Sequence, residues 1–215
     1  MILYIILLLI TAAIAYLFGS LSSVVIASNF IFHYNLKKLG RGSGFISNFK
    51  RMYGIAGFLE LGAVELVKDI IPILIGGLLL GIKGHGDVGR AFAGFCLVLG
   101  SLFPLFYDLK GTHGVVTMVL ASFFVNTSAG AVTLILTALG MLLSKYEALG
   151  AAIGALGLVM VAALVVDVPV ITRLAIFISV AVIIGNIRGI VDIIRGRAEK
   201  FNFKTDLSYK FDEKF

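Results

Sequence analysis

The chain has 215 residues, of which 60% are apolar and only 14% charged, with a net charge of +6. A soluble domain carries about 25% charged residues. This composition excludes a disordered chain and argues against a soluble enzyme. The single cysteine, Cys96, lies in an apolar run and supplies no disulfide framework.

Apolar stretches of bilayer length follow one another along the chain. About 20 apolar residues cross the roughly 30 Å of hydrocarbon in a membrane. The first run, 2–32, would be about 46 Å long as one helix, so it must tilt or bend, most readily near Gly19-Ser20. No basic segment precedes it, which argues for a span rather than a cleaved signal peptide. The second run, 54–82, carries Glu60, Glu65, Lys68 and Asp69. The third is 91–106. Runs 115–125 and 129–143 are separated by a polar break, Asn126-Thr127-Ser128. The last two are 149–166 and 169–185. The expected fold is an all-α polytopic membrane protein with about seven transmembrane helices. Residues 1–190 form one membrane domain, and 191–215 form a basic tail. Five spans, with one or two runs lying flat, is the alternative.

Charge sets the expected orientation. With the N-terminus outside, fourteen cations fall in cytoplasmic segments: Lys37, Lys38, Arg41, Lys50 and Arg51, then Lys110, Lys145, and seven in the tail from Arg188 to Lys214. Only Lys83, Arg90 and Arg173 fall outside, and Lys68 lies within a span. Lysine and arginine accumulate on the cytoplasmic side of membrane proteins. The N-terminus is therefore predicted outside and the C-terminus in the cytoplasm. The basic, aromatic tail reads as an anchor on anionic lipid, and no nucleic-acid partner is expected.

Three polar clusters lie at the cytoplasmic span ends. The first is Arg41-Gly42-Ser43-Gly44, followed by Ser47, Asn48 and Lys50. Its glycines let backbone N–H groups turn toward an anion, flanked by charge. The second is Lys110-Gly111-Thr112-His113-Gly114, with Thr117 one turn further on. Lysine supplies a point charge for phosphate, and a histidine accepts a hydroxyl proton near neutral pH. The third is Asn186-Ile187-Arg188 with Arg195-Gly196-Arg197. Arg188 and Arg195 are seven apart and share a helix face. Each cluster has a plainer reading, as a flexible turn, a solvated loop or an anchor. Together they suit a phosphorylated substrate from the cytosol and an apolar one from lipid. His33 and His85 are read as surface residues.

The charges of the second run are costly. Each costs about 2.5–3.5 kcal/mol at a helix centre on insertion scales, and such groups mark a functional cavity. Glu65 and Lys68, three apart, are expected to pair. Asp69 is then expected to need a shared proton or another cation.

The order of these motifs resembles the bacterial acyl-phosphate:glycerol-3-phosphate acyltransferase family over almost the whole chain. Gly19-Ser20 resembles the family's Gly-Ser in the first span. Gly42-Ser43-Gly44 matches the start of its G-S-G-N-x-G-x-T-N loop. Glu65, Lys68 and Pro72 match an acid, x-x-K and a later proline. Gly100-Ser101-Leu102-Phe103-Pro104 and the stretch from Lys110 to Thr117 resemble G-H-x-F-P and K-G-G-K-G-V-A-T. The segment from Ser144 to Leu149 resembles T-R-Y-x-S-L. Asn186-Ile187-Arg188 and Arg195-Gly196 resemble the ending N-I-x-R and R-G. The chain departs from the family at Phe45, Phe49, Lys50, His113, Ala148 and Ile183, which replace polar or basic groups.

The resemblance implies transfer of an acyl chain from acyl phosphate to the sn-1 hydroxyl of glycerol 3-phosphate, making lysophosphatidic acid. The expected partners are these two substrates and membrane lipids. Arg41, Gly42, Ser43, Gly44, Lys110, Gly111, Gly114, Thr117, Asn186 and Arg188 are the candidate substrate-binding residues. Ser43 is expected to orient a hydroxyl and His113 to accept its proton. No cofactor is implied, since neither a metal-binding spacing nor a Walker-type loop is present. The alternative is a non-catalytic relative, a lipid-intermediate binder or small membrane transporter, which the charges of the second run would suit.

Overall fold

The computed structural model describes residues 2–23, 26, 44–106 and 114–198, the side chains of 44–59 excepted. The described residues form seven helices: α1 (Ile2–Ser20), α2 (Gly44–Gly81), α3 (Gly86–Leu102), α4 (Val115–Val125), α5 (Thr127–Ser144), α6 (Glu147–Val165) and α7 (Pro169–Ile194). Four of them, α1, α5, α6 and α7, are long and apolar enough to cross a membrane. Large apolar side chains cover the outside of the bundle, with Leu78, Leu143 and Leu164 each more than 70% exposed. A surface of this kind suits lipid, where helices satisfy their own backbone groups.

The helix ends follow local chemistry. α1 ends at Ser20, where the bend was predicted, and Ser23 and Ile26 further along the run are helical again. α2 begins ten residues before the apolar run that predicted it. Hydrophobicity marks only its apolar part, and the polar stretch from Gly44 continues the same helix. At 1.5 Å per residue α2 is about 57 Å long. α3 ends at Leu102, two residues before Pro104, which disfavours helix in the residue before it. α4 rises only about 16 Å, half the hydrocarbon thickness. The predicted polar break is a tight turn in which Asn126 Oδ1 accepts hydrogen bonds from the backbone N–H of Ser128 (2.8 Å) and Ala129 (3.4 Å), capping α5.

α3 is the central element, packed on α1, α2, α4 and α7. Its Leu97 faces a core shared with Ala15 and Ile73, while Val98 faces a larger core with Met118, Leu158 and Ile178. The α1–α3 contact is backbone against backbone. A methyl group at Gly19 would collide with the Leu97 carbonyl, and one at Gly100 with the Tyr16 carbonyl. Small residues permit such approach where no hydrophobic force drives helices together in lipid. The Tyr16 hydroxyl then donates to the Phe103 carbonyl at 2.7 Å, fixing the end of α3 against α1.

Candidate active site

Six predicted site residues, Arg41, Gly42, Ser43, Lys110, Gly111 and His113, lie outside the described residues. The other five are placed. Gly44 is the first residue of α2. Gly114 is buried just before α4, with φ +63°, a left-handed conformation that glycine adopts without a Cβ penalty. Thr117 and Asn186 are buried, and Arg188 is exposed on α7. Arg195 is exposed too, on the face it shares with Arg188.

Leu102 brings two of the motif clusters together. Its side chain occupies the space that a Cβ would need at both Gly114 and Gly185. The start of α4 and the turn of α7 that carries Asn186 therefore meet at one side chain. Asn186 is held in place by its own helix, its amide donating to the Val182 carbonyl at 2.8 Å. Of the departures from the family pattern, Ala148 is buried and Ile183 packs against the main core.

Three of the four charges of the second run, Glu65, Lys68 and Asp69, form a closed network, while Glu60 is exposed. Lys68 Nζ lies 3.3 Å from Glu65 Oε1, the pair expected from their spacing, and 3.2 Å from Asp69 Oδ1. One lysine thus serves both carboxylates. The hydroxyl of Thr117, at the start of α4, donates to Asp69 Oδ2 at 2.8 Å. Asp69 Oδ1 has the ion pair with Lys68 but no aligned hydrogen bond. Lys68 also donates to the Leu21 carbonyl at 3.2 Å, and Ser23 donates to Glu65 Oε2. The network joins the chain just after α1, the middle of α2 and the first turn of α4. Pro72 lies one turn further along α2. Having no N–H, it cannot donate to the Lys68 carbonyl.

Sequence reasoning missed two members of this network, Ser23 and the Leu21 carbonyl, and the pairing of a third, Thr117, with Asp69. Ser23 and the Leu21 carbonyl lie in an apolar run and carry no signal. The Asp69–Thr117 bond joins residues 48 positions apart. An intramembrane charge does call for a partner, and the partner supplied is a hydroxyl rather than a second cation.

Comparison with known proteins agrees with this architecture. The family model for glycerol-3-phosphate acyltransferase matches residues 9–196. A glycerol-3-phosphate acyltransferase of Thermoanaerobacter sp. (strain X514) is 25% identical over 197 residues, covering 92% of this chain and 97% of that protein. The crystal structure of PlsY, an integral membrane glycerol 3-phosphate acyltransferase, in its glycerol 3-phosphate form, superposes with a TM-score of 0.74 at 24% identity. The match covers 94% of this chain and 98% of that one. The lysophosphatidic acid form of the same protein superposes with a TM-score of 0.73 at 23% identity, over 93% and 98% of the two chains. The fold is thus that of an integral membrane enzyme, and the chain belongs to the glycerol-3-phosphate acyltransferase family.

Proposed function

We propose that this protein transfers an acyl chain from acyl phosphate to the sn-1 hydroxyl of glycerol 3-phosphate, at the cytoplasmic face of the inner membrane. The hydroxyl oxygen attacks the acyl carbonyl, the carbonyl–phosphate bond breaks, and lysophosphatidic acid and inorganic phosphate leave. The protein must position two substrates and neutralise two phosphates. Lys110, Arg188 and the backbone of Gly42-Ser43-Gly44 take the phosphates. Ser43 orients the acceptor hydroxyl and His113 accepts its proton. Arg41, Gly111, Gly114, Thr117 and Asn186 complete the substrate-binding set.

One observation carries this reading: the family match, over residues 9–196, takes in the first two basic glycine clusters and the third as far as Gly196. The contact of Leu102 with both Gly114 and Gly185 supports it, because it gathers two of those clusters at one end of the bundle. A second reading, a non-catalytic lipid-intermediate binder or small transporter, draws on Ala148 and Ile183. These place apolar groups where the family pattern has serine and histidine. The deciding experiment uses the purified protein with labelled glycerol 3-phosphate and palmitoyl phosphate. Lysophosphatidic acid is the expected product. Binding of either substrate without product would select the second reading.

A further inference from the structure

A cavity of about 360 Å³ lies between α2, α4 and α5. Its volume is in the range of small-molecule sites, about 300–1,000 Å³. Leu66, Val116, Phe123, Leu134, Thr137 and Met141 are among the residues that line it. Leu66, Val116 and Leu134 are between 43% and 48% exposed, so the cavity opens sideways on the lipid-facing surface of the bundle. A chain already in the bilayer can enter it without crossing water.

The two ends differ. At one end, Val116 adjoins Thr117 and Leu66 follows Glu65, both members of the buried network. At the other, Phe123 is the lining residue nearest the Asn126 turn. From Val116 to Phe123 the helix rises about 11 Å. An acyl chain fills one leaflet, about 15 Å of hydrocarbon, so most of a chain fits between these ends. An apolar slot open to lipid, with Val115 and Val116 lining the end that follows Gly114, suits an amphiphile with one alkyl chain.

Phe123 is held in place by a glycine. A methyl group at Gly130 would collide with the Phe123 ring and backbone, so the bare backbone of α5 is the seat on which the ring rests. The other side of the ring is open to the lipid-facing surface, Phe123 being 36% exposed.

We infer that Phe123, seated on Gly130 at the far end of this cavity, sets the length of the acyl chain that is transferred. This rests on the acyltransferase reading above and adds where the chain lies and what ends it.

The test compares wild type, Phe123→Ala, Phe123→Trp and the lipid-facing control Leu164→Ala, using saturated acyl phosphates from decanoyl to stearoyl. Phe123→Ala is expected to move the optimum to chains longer by roughly two to four carbons, the room vacated by the ring. Phe123→Trp is expected to move it to shorter chains, and Leu164→Ala to leave it unchanged. The same chain-length profile in all four proteins would overturn the inference. A second measurement does not need turnover. Palmitoyl phosphate with a photoreactive terminal carbon is expected to label the peptide containing Phe123. Labelling elsewhere would overturn the inference. Labelling at Phe123 by a protein that turns over no acyl phosphate would keep the cavity as the chain's seat and reject the acyltransferase reading instead.

Discussion

Thr117 and Asp69 are joined by a 2.8 Å hydrogen bond, although 48 positions separate them in the chain. Both side chains are closed to solvent. The bond ties the short helix α4 to the long helix α2 at the point where Lys68 holds two carboxylates. A buried acceptor without its donor keeps the full cost of desolvation, about 1–3 kcal/mol. Thr117→Val keeps the shape and removes the donor. It is expected to destabilise the protein by that amount, read as a lower midpoint of thermal unfolding in detergent. Thr117→Ser, which keeps the hydroxyl, should recover most of the loss. Equal losses in both variants would mean that the methyl group matters and the hydrogen bond does not.

Lys68 gives a sharper test. Removing one partner of a buried ion pair leaves an uncompensated charge and costs about 3–5 kcal/mol. Lys68→Met strands both Glu65 and Asp69. It is expected to unfold or misassemble the protein. Adding Glu65→Gln should restore part of the loss, and adding Asp69→Asn as well should restore more, because no lone charge remains. Strictly additive losses along the series would show that the three side chains do not interact.

Orientation follows from where the cations lie. With the predicted threading, fourteen lysines and arginines fall on the cytoplasmic side and three outside. Reporter fusions at Gly42, Gly111 and Lys200 are expected to read cytoplasmic, and one at Asp87 extracytoplasmic. A cytoplasmic signal at Asp87 would reject this threading.

The proposed phosphate site rests most heavily on Lys110. A charge-assisted hydrogen bond to phosphate is worth roughly 1.5–3 kcal/mol, so Lys110→Ala should lower kcat/KM for glycerol 3-phosphate by about 10- to 150-fold. Lys110→Arg should recover only part of this, since a planar fork does not replace a point charge. Lys145 is the comparison. It is exposed and caps the end of α5 in a left-handed conformation, φ 61°. Lys145→Ala is expected to change turnover little. Similar small effects at both lysines, with glycerol 3-phosphate binding intact by calorimetry, would remove Lys110 from the site.

The sequence alone was enough for the class of fold and its helices. Apolar runs of bilayer length can only be helices in lipid, because each backbone donor must find its acceptor locally. Local rules also located the break after Ser20 and the Asn126 turn, and the Glu65–Lys68 pair followed from helical spacing. Tertiary structure decided what each polar residue meets. Lys68 faces Asp69 and the Leu21 carbonyl, and Asp69 faces Thr117, only because α1, α2 and α4 converge there. The seat of Phe123 on Gly130 and the shared wall at Leu102 depend in the same way on how closely helices approach. Periodicity records which face of a helix is apolar and carries no information on which distant helix will cover it. Those contacts are set by the packing of whole helices, where glycines without side chains let the backbones come close.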